Sequence, residues 1–189
     1  MRSHLKLTAL ASLALTSCVD TSQDIHYIPT PPAVVSEMLR LAELEEGDVL
    51  YDLGSGDGRI PIAAAREYGI RAVGIEIDDG LLEEARANAR AAGVEHLVEF
   101  RKQDLFTTDL SEVDTLALYL GPTQNLRLRA RIMEQMEPGS RVVSHAFAMG
   151  GWQPDVEKTV ENRKVYKWTV PETFIDGFPT ADAAAQGGD

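Results

Sequence analysis

Asp52, Glu76 and Asp104 each end a short strand-like segment, and between the first two lies Gly54-Ser55-Gly56-Asp57-Gly58, with glycine at alternate positions. Glycine lets a backbone approach a ligand with no Cβ in the way and tolerates positive φ. The helix that such a loop opens turns its unpaired N–H groups toward the same spot. A carboxylate at a strand tip accepts two hydroxyl hydrogen bonds at once, strengthened by its charge. Glu76 lies about 20 residues beyond the glycines, where α/β cofactor folds place a ribose-binding acid. These are the parts of a cradle for a nucleotide-like cofactor. A tight turn that binds nothing would also use the glycines, but it would not need acids closing the next two strands.

The spacing separates cofactor classes. A dinucleotide loop reads Gly-x-Gly-x-x-Gly, and Arg59 occupies its last position here. An NAD(P) oxidoreductase is therefore disfavoured. The pattern that fits is acid-x-Gly-x-Gly-x-Gly, running from Asp52 to Gly58.

Alternating strands and helices must position these residues. Thr30 and Pro31 open a helix with Val34, Val35, Met38, Leu39 and Ala42 at helical spacing. Strands are expected near residues 49–53, 71–77, 97–102, 115–120 and 140–146, with helices near 59–68, 80–92 and 124–136. Beyond Trp152, segments 156–160 and 165–170 alternate around Asn162-Arg163 as a hairpin. Five β/α units and a terminal hairpin predict an α/β, Rossmann-like seven-stranded sheet. It is mostly parallel, has one antiparallel strand, and carries helices on both faces.

The acid–glycine loop resembles motif I of class I S-adenosylmethionine (SAM) methyltransferases. Further segments narrow the resemblance: Tyr27-Ile28-Pro29-Thr30, Gly74-Ile75-Glu76, Lys102-Gln103-Asp104-Leu105, Arg141-Val142-Val143-Ser144 and Trp152-Gln153-Pro154. Together, over roughly residues 26–171, they are similar to the seven-β-strand protein-lysine methyltransferases that include the ATP synthase c-subunit lysine methyltransferase and bacterial homologues. The resemblance implies SAM as cofactor. Asp52, Gly54, Ser55, Gly56 and Gly58 would line its methionine end, Glu76 and Ile77 its ribose, and Asp104 with Leu105 its adenine. It also implies a lysine side chain on a protein as methyl acceptor, or else a small amine. The segment after the fourth strand, Tyr119-Leu120-Gly121-Pro122-Thr123-Gln124-Asn125, lacks the Asp/Asn-Pro-Pro-Tyr motif of methyltransferases acting on nucleobases and glutamine.

An amine must arrive neutral to attack a sulfonium methyl, so polar oxygens or desolvation near the methyl are required. Tyr119 and Asn125 could orient the amine, Tyr27 could close the site from the N-terminal arm, and His145 could accept a proton. Each has a packing alternative: a half-buried strand tyrosine, a helix-capping asparagine, a buried imidazole. The four histidines, His4, His26, His96 and His145, do not pair at metal-ligand spacing.

The chain has 189 residues and a formal net charge of −12, one domain's worth with short extensions and a poor partner for nucleic acid. Residues 1–17 have a basic start and the apolar run Leu7 to Leu15, ending at Leu15-Thr16-Ser17-Cys18. This resembles a bacterial lipoprotein signal and implies a lipidated Cys18 on the periplasmic side of a membrane. A cytoplasmic protein is the alternative if the leader is unused, and a lipid-anchored, non-catalytic binding module is a further one. Residues 18–29 read as a linker arm, 30–171 as the methyltransferase domain, and 172–189 as a disordered tail.

Overall fold

The structure, a computed structural model, describes residues 27–172. The expected leader, Cys18 and nearly all of the expected tail lie outside them. One sheet holds seven strands in the order β3-β2-β1-β4-β5-β7-β6. They are β1 (Val49–Leu53), β2 (Arg71–Glu76), β3 (Val98–Lys102), β4 (Thr115–Leu118), β5 (Arg141–His145), β6 (Val156–Val160) and β7 (Arg163–Thr169). Neighbours are parallel except where β7 meets β5 and β6. β7 alone therefore runs against the other six, as expected. The chain steps outward from β1 to β3 and returns to place β4 beside β1. Ligand crevices form outside strand C-termini at such a reversal.

Side chains alternate across the sheet. Leu50 faces one apolar layer, which contains α1 (Pro32–Ala42), α2 (Arg59–Tyr68) and α3 (Asp79–Ala91). Tyr51 and Leu53 face the other, where α4 (Pro122–Gln135) packs Leu128, Ile132 and Met133. The β/α alternation has one gap: between β3 and β4 there is only a 3-10 turn, Leu105–Thr107. Asp104 caps it by accepting from the Phe106 amide at 2.8 Å. The gap leaves a polar cavity of about 350 Å³ on that face, between Tyr51, Arg101 and Glu112. The strand β5 also runs to the hairpin without an intervening helix, so the count of five β/α units is too high.

The start of α1 is shifted by one residue from the sequence expectation. Pro31 is the cap and Pro32 the first helical residue. Thr30 is drawn away from capping because its carbonyl accepts from Arg59 at 2.9 Å and its hydroxyl lies 3.2 Å from His145 Nδ1. At the far end of β5, Ala146 takes φ +67° and the Phe147 amide donates to the His145 carbonyl at 2.9 Å. This is a γ-turn on a non-glycine residue, a strained shape that tertiary contacts must hold.

Candidate cofactor and acceptor site

The loop after β1 folds against the tip of β2. The Gly54 and Ser55 amides donate to the Ile75 carbonyl at 2.8 and 3.0 Å. Gly54, Gly56 and Gly58 all have positive φ, between 52° and 80°. A Cβ at Gly54 would sit 3.2 Å from the Leu120 side chain, so the end of β4 closes directly over the loop. A Cβ at Gly56 would overlap the Tyr27 ring. The N-terminal arm therefore reaches the glycine loop and places Tyr27 there.

Glu76 is fixed at the centre of this arrangement. Its Oε2 accepts from the Gly56 amide at 3.0 Å, and its Oε1 accepts from Ile77 and Asp78 at 2.7 and 3.0 Å. The last two contacts turn the chain, which is why β2 ends at Glu76 and not at residue 77. Ile77 itself is largely exposed. A carboxylate offers about four lone-pair sites, so Oε2 keeps one for a hydroxyl, and a second hydroxyl would compete with the Gly56 amide. Glu76→Ala should weaken S-adenosylhomocysteine binding by about 1–3 kcal/mol through lost charge-assisted hydrogen bonds. Calorimetry giving an unchanged affinity would remove Glu76 from the ribose role.

Asp52 is 2 % exposed, and no hydrogen bond from a described residue reaches its carboxylate. Burial, and then the negative charges of Glu76 and Asp57, push its pKa up to about 8. Burial also pushes the Asp57 carboxyl up, but its contacts with Arg59 outweigh this and hold it below its usual range. Ser55 Oγ is buried without a partner among the described residues. Asp52 in β1 and the Ser55 hydroxyl in the loop thus have no hydrogen-bond partner among the described residues, an arrangement that a polar, cationic ligand would complete.

The tips of β4 and β5 form a second wall. The Tyr119 and His145 rings lie 3.8 Å apart, centroid to centroid, and Phe147 stacks on Tyr119 at 6.5 Å. His145 is 1 % exposed; burial, then the Arg163 charge, bring its pKa down to about 4. The imidazole is neutral at pH 7. Asn125 stands apart from this wall. It lies inside α4 rather than at its cap, which is Gly121. It is fully buried, and its Nδ2 donates to the Phe147 carbonyl at 3.0 Å while Oδ1 has no partner among the described residues. That bond holds the loop carrying Phe147. Asp104 is exposed at the tip of β3, and Leu105 is buried behind it. Sequence reasoning missed the bidentate Asp57–Arg59 pair, although an acid two residues before an arginine inside a glycine loop was a visible signal.

Residues 52–156 match the ANTKMT methyltransferase domain. The chain belongs to the ANTKMT methyltransferase family. A protein-lysine N-methyltransferase of Saccharolobus islandicus is 39% identical over 153 residues, covering 78% of this chain and 95% of its own. The adenine nucleotide translocase lysine N-methyltransferase of Mus musculus is 33% identical over 131 residues, 69% of this chain and 56% of that one. The chain thus spans little more than half the length of the mouse relative. A Salinibacter ruber protein described as an RNA methyltransferase, solved with S-adenosyl-L-homocysteine, superimposes with a TM-score of 0.79 at 54% identity, over 81% of this chain and all of that one.

The chain is a SAM-dependent methyltransferase, and its residues fit that cofactor. SAM carries an ammonium and a sulfonium, two cations for a pocket bearing Asp52, Asp57 and Glu76. Its amino-acid tail has donors for Asp52 and acceptors for the loop hydroxyl and amides. Its ribose hydroxyls would suit Glu76. The glycines leave room for all of this without a side chain in the way.

Proposed function

We propose that this methyltransferase acts on a lysine side chain of a protein. The observation that carries the proposal is the 39% identity to a protein-lysine N-methyltransferase, extending over 95% of that relative's length. The geometry supports it. Bound SAM supplies an activated methyl group; the chain has to deliver a neutral amine in line and keep water out. Tyr119, His145 and Phe147 form an aromatic, uncharged wall beside the acid-lined cradle. Such a wall packs the apolar stem of a lysine and disfavours its charged form by desolvation. His145, neutral and 1 % exposed, backs the Tyr119 ring and adds no charge to the wall.

The Salinibacter ruber structure favours a second reading, methylation of RNA. The chain's charge of −12 opposes it, since a polyanion is repelled by an acidic surface. One experiment separates the two. The purified protein is given methyl-labelled SAM with a lysine-rich protein extract and, separately, with total RNA. Label recovered as methyllysine after hydrolysis supports the lysine reading. Label in RNA alone would overturn it.

A further inference from the structure

Arg59 replaces the glycine of a dinucleotide loop, and its guanidinium spans two parts of the chain that the sequence keeps apart. Nε and Nη2 donate to the two Asp57 oxygens at 2.9 and 2.6 Å, a bidentate pair within the glycine loop. Nη1 donates to the Thr30 carbonyl at 2.9 Å, and Nη2 lies 3.5 Å from the Tyr27 hydroxyl, at the outer limit of a hydrogen bond. Thr30 is 3 % exposed and is also tied by its hydroxyl to His145, at 3.2 Å. From this anchored point the arm lays the Tyr27 ring on Gly56, whose amide in turn donates to Glu76 at 3.0 Å. A run of contacts therefore joins the arm to the carboxylate that meets the ribose, and Arg59 is its hinge pin.

We propose that Arg59 is a positioning residue that fastens the N-terminal arm across the glycine loop, so that cofactor binding and arm closure are coupled. The proposal rests on the cofactor reading of the site and not on the identity of the methyl acceptor. A planar fork is needed because one group must hold a carboxylate through two bonds and a carbonyl through a third. Lysine, a point charge, can keep Asp57 company but cannot also secure the arm. Coupling is reciprocal: if the fastened arm tightens the cofactor, the cofactor tightens the arm by the same factor.

The test is a double-mutant cycle read by calorimetry with S-adenosylhomocysteine on the full chain: wild type, Arg59→Ala, Tyr27→Ala and the double variant. Each single change should weaken binding by about tenfold, and the double variant should bind no more weakly than the weaker single. Arg59→Lys should melt near the wild type yet lose most of the same affinity, and it replaces Arg59→Ala in the cycle if that variant does not fold. Losses that multiply in the double variant, or full affinity in Arg59→Lys, would overturn the proposal. Absence of binding by the wild type would instead strike the cofactor reading itself.

Discussion

Asp52→Asn will raise the melting temperature of the cofactor-free protein while weakening S-adenosylhomocysteine binding by about ten- to a hundredfold. The two effects share one cause. Asp52 is buried, no described donor reaches it, and two further acids lie near it. Burying this acid requires that it take up a proton or carry a desolvated charge, and an amide of the same shape avoids that cost. The same carboxylate is the natural partner of the cofactor's ammonium, and a hydrogen bond to a charged group contributes about 1.5–3 kcal/mol. The pH dependence has a definite sign. The folded carboxyl keeps its proton up to about 8, whereas an ordinary aspartate loses it near 3.8. Its contribution to stability is fully present below the unfolded value and is lost as pH rises through about 8. His145, brought down to about 4 by burial, acts oppositely at the acid end, so the difference between wild-type and Asp52→Asn melting curves isolates Asp52. That difference should widen from pH 5 to pH 8. Binding near pH 7 should release about one proton, measured in buffers of different ionisation heat, because a cation beside Asp52 favours its charged form. Equal melting curves and equal affinities for the two proteins would reject this role for Asp52.

Much of this site was legible in the sequence because its parts are local. The strand-acid-glycine run fixes β1, the turn and the start of α2 within ten residues, and the boundaries Val49–Leu53 and Arg59–Tyr68 fall where periodicity put them. Glu76 was legible because a single carboxylate ends an apolar strand. What was not legible is what depends on pairing across the chain. Thr30 has the chemistry of a helix cap, yet 115 residues of sequence separate it from the His145 ring that takes its hydroxyl. Asn125 has the chemistry of a helix cap, yet it lies inside α4, where its Nδ2 donates to the Phe147 carbonyl that the tight turn at Ala146 brings to it. Arg59 read as a broken motif, and its three-way contact becomes visible only once the arm has been placed over the loop. The β/α alternation breaks between β3 and β4 for a local reason. Asp104, Thr107 and Thr108 hydrogen-bond nearby backbone and hold the chain in a 3-10 turn, as short polar side chains do when they compete with a helix.

Two glycines of one motif should fail in different ways when a methyl group is added. In Gly58→Ala, φ of +79° already strains an L-residue by about 1–2 kcal/mol. The new Cβ also meets the Phe100 ring at 2.5 Å and the Ala85 Cβ at 3.0 Å. Phe100 is 8 % exposed in the layer beneath α2 and α3 and has little room to yield, so overpacking adds about 1–3 kcal/mol. The melting temperature should fall by about 5–15 °C. In Gly56→Ala, φ of +52° brings a comparable strain, but the obstructing group is the Tyr27 ring, 42 % exposed on an arm that can swing aside. Stability should fall by only about 1–2 kcal/mol. S-adenosylhomocysteine affinity should fall by at least about tenfold, because the arm is displaced and a methyl group enters the cradle. Gly69→Ala supplies the baseline: its φ is +69° and nothing lies within 4 Å of its Cβ position, so it reports strain alone. If Gly58→Ala melts with Gly69→Ala, Phe100 is free to move and the close packing of loop on core is not what holds the cradle. If Gly56→Ala keeps full affinity, Tyr27 does not cover the bound cofactor.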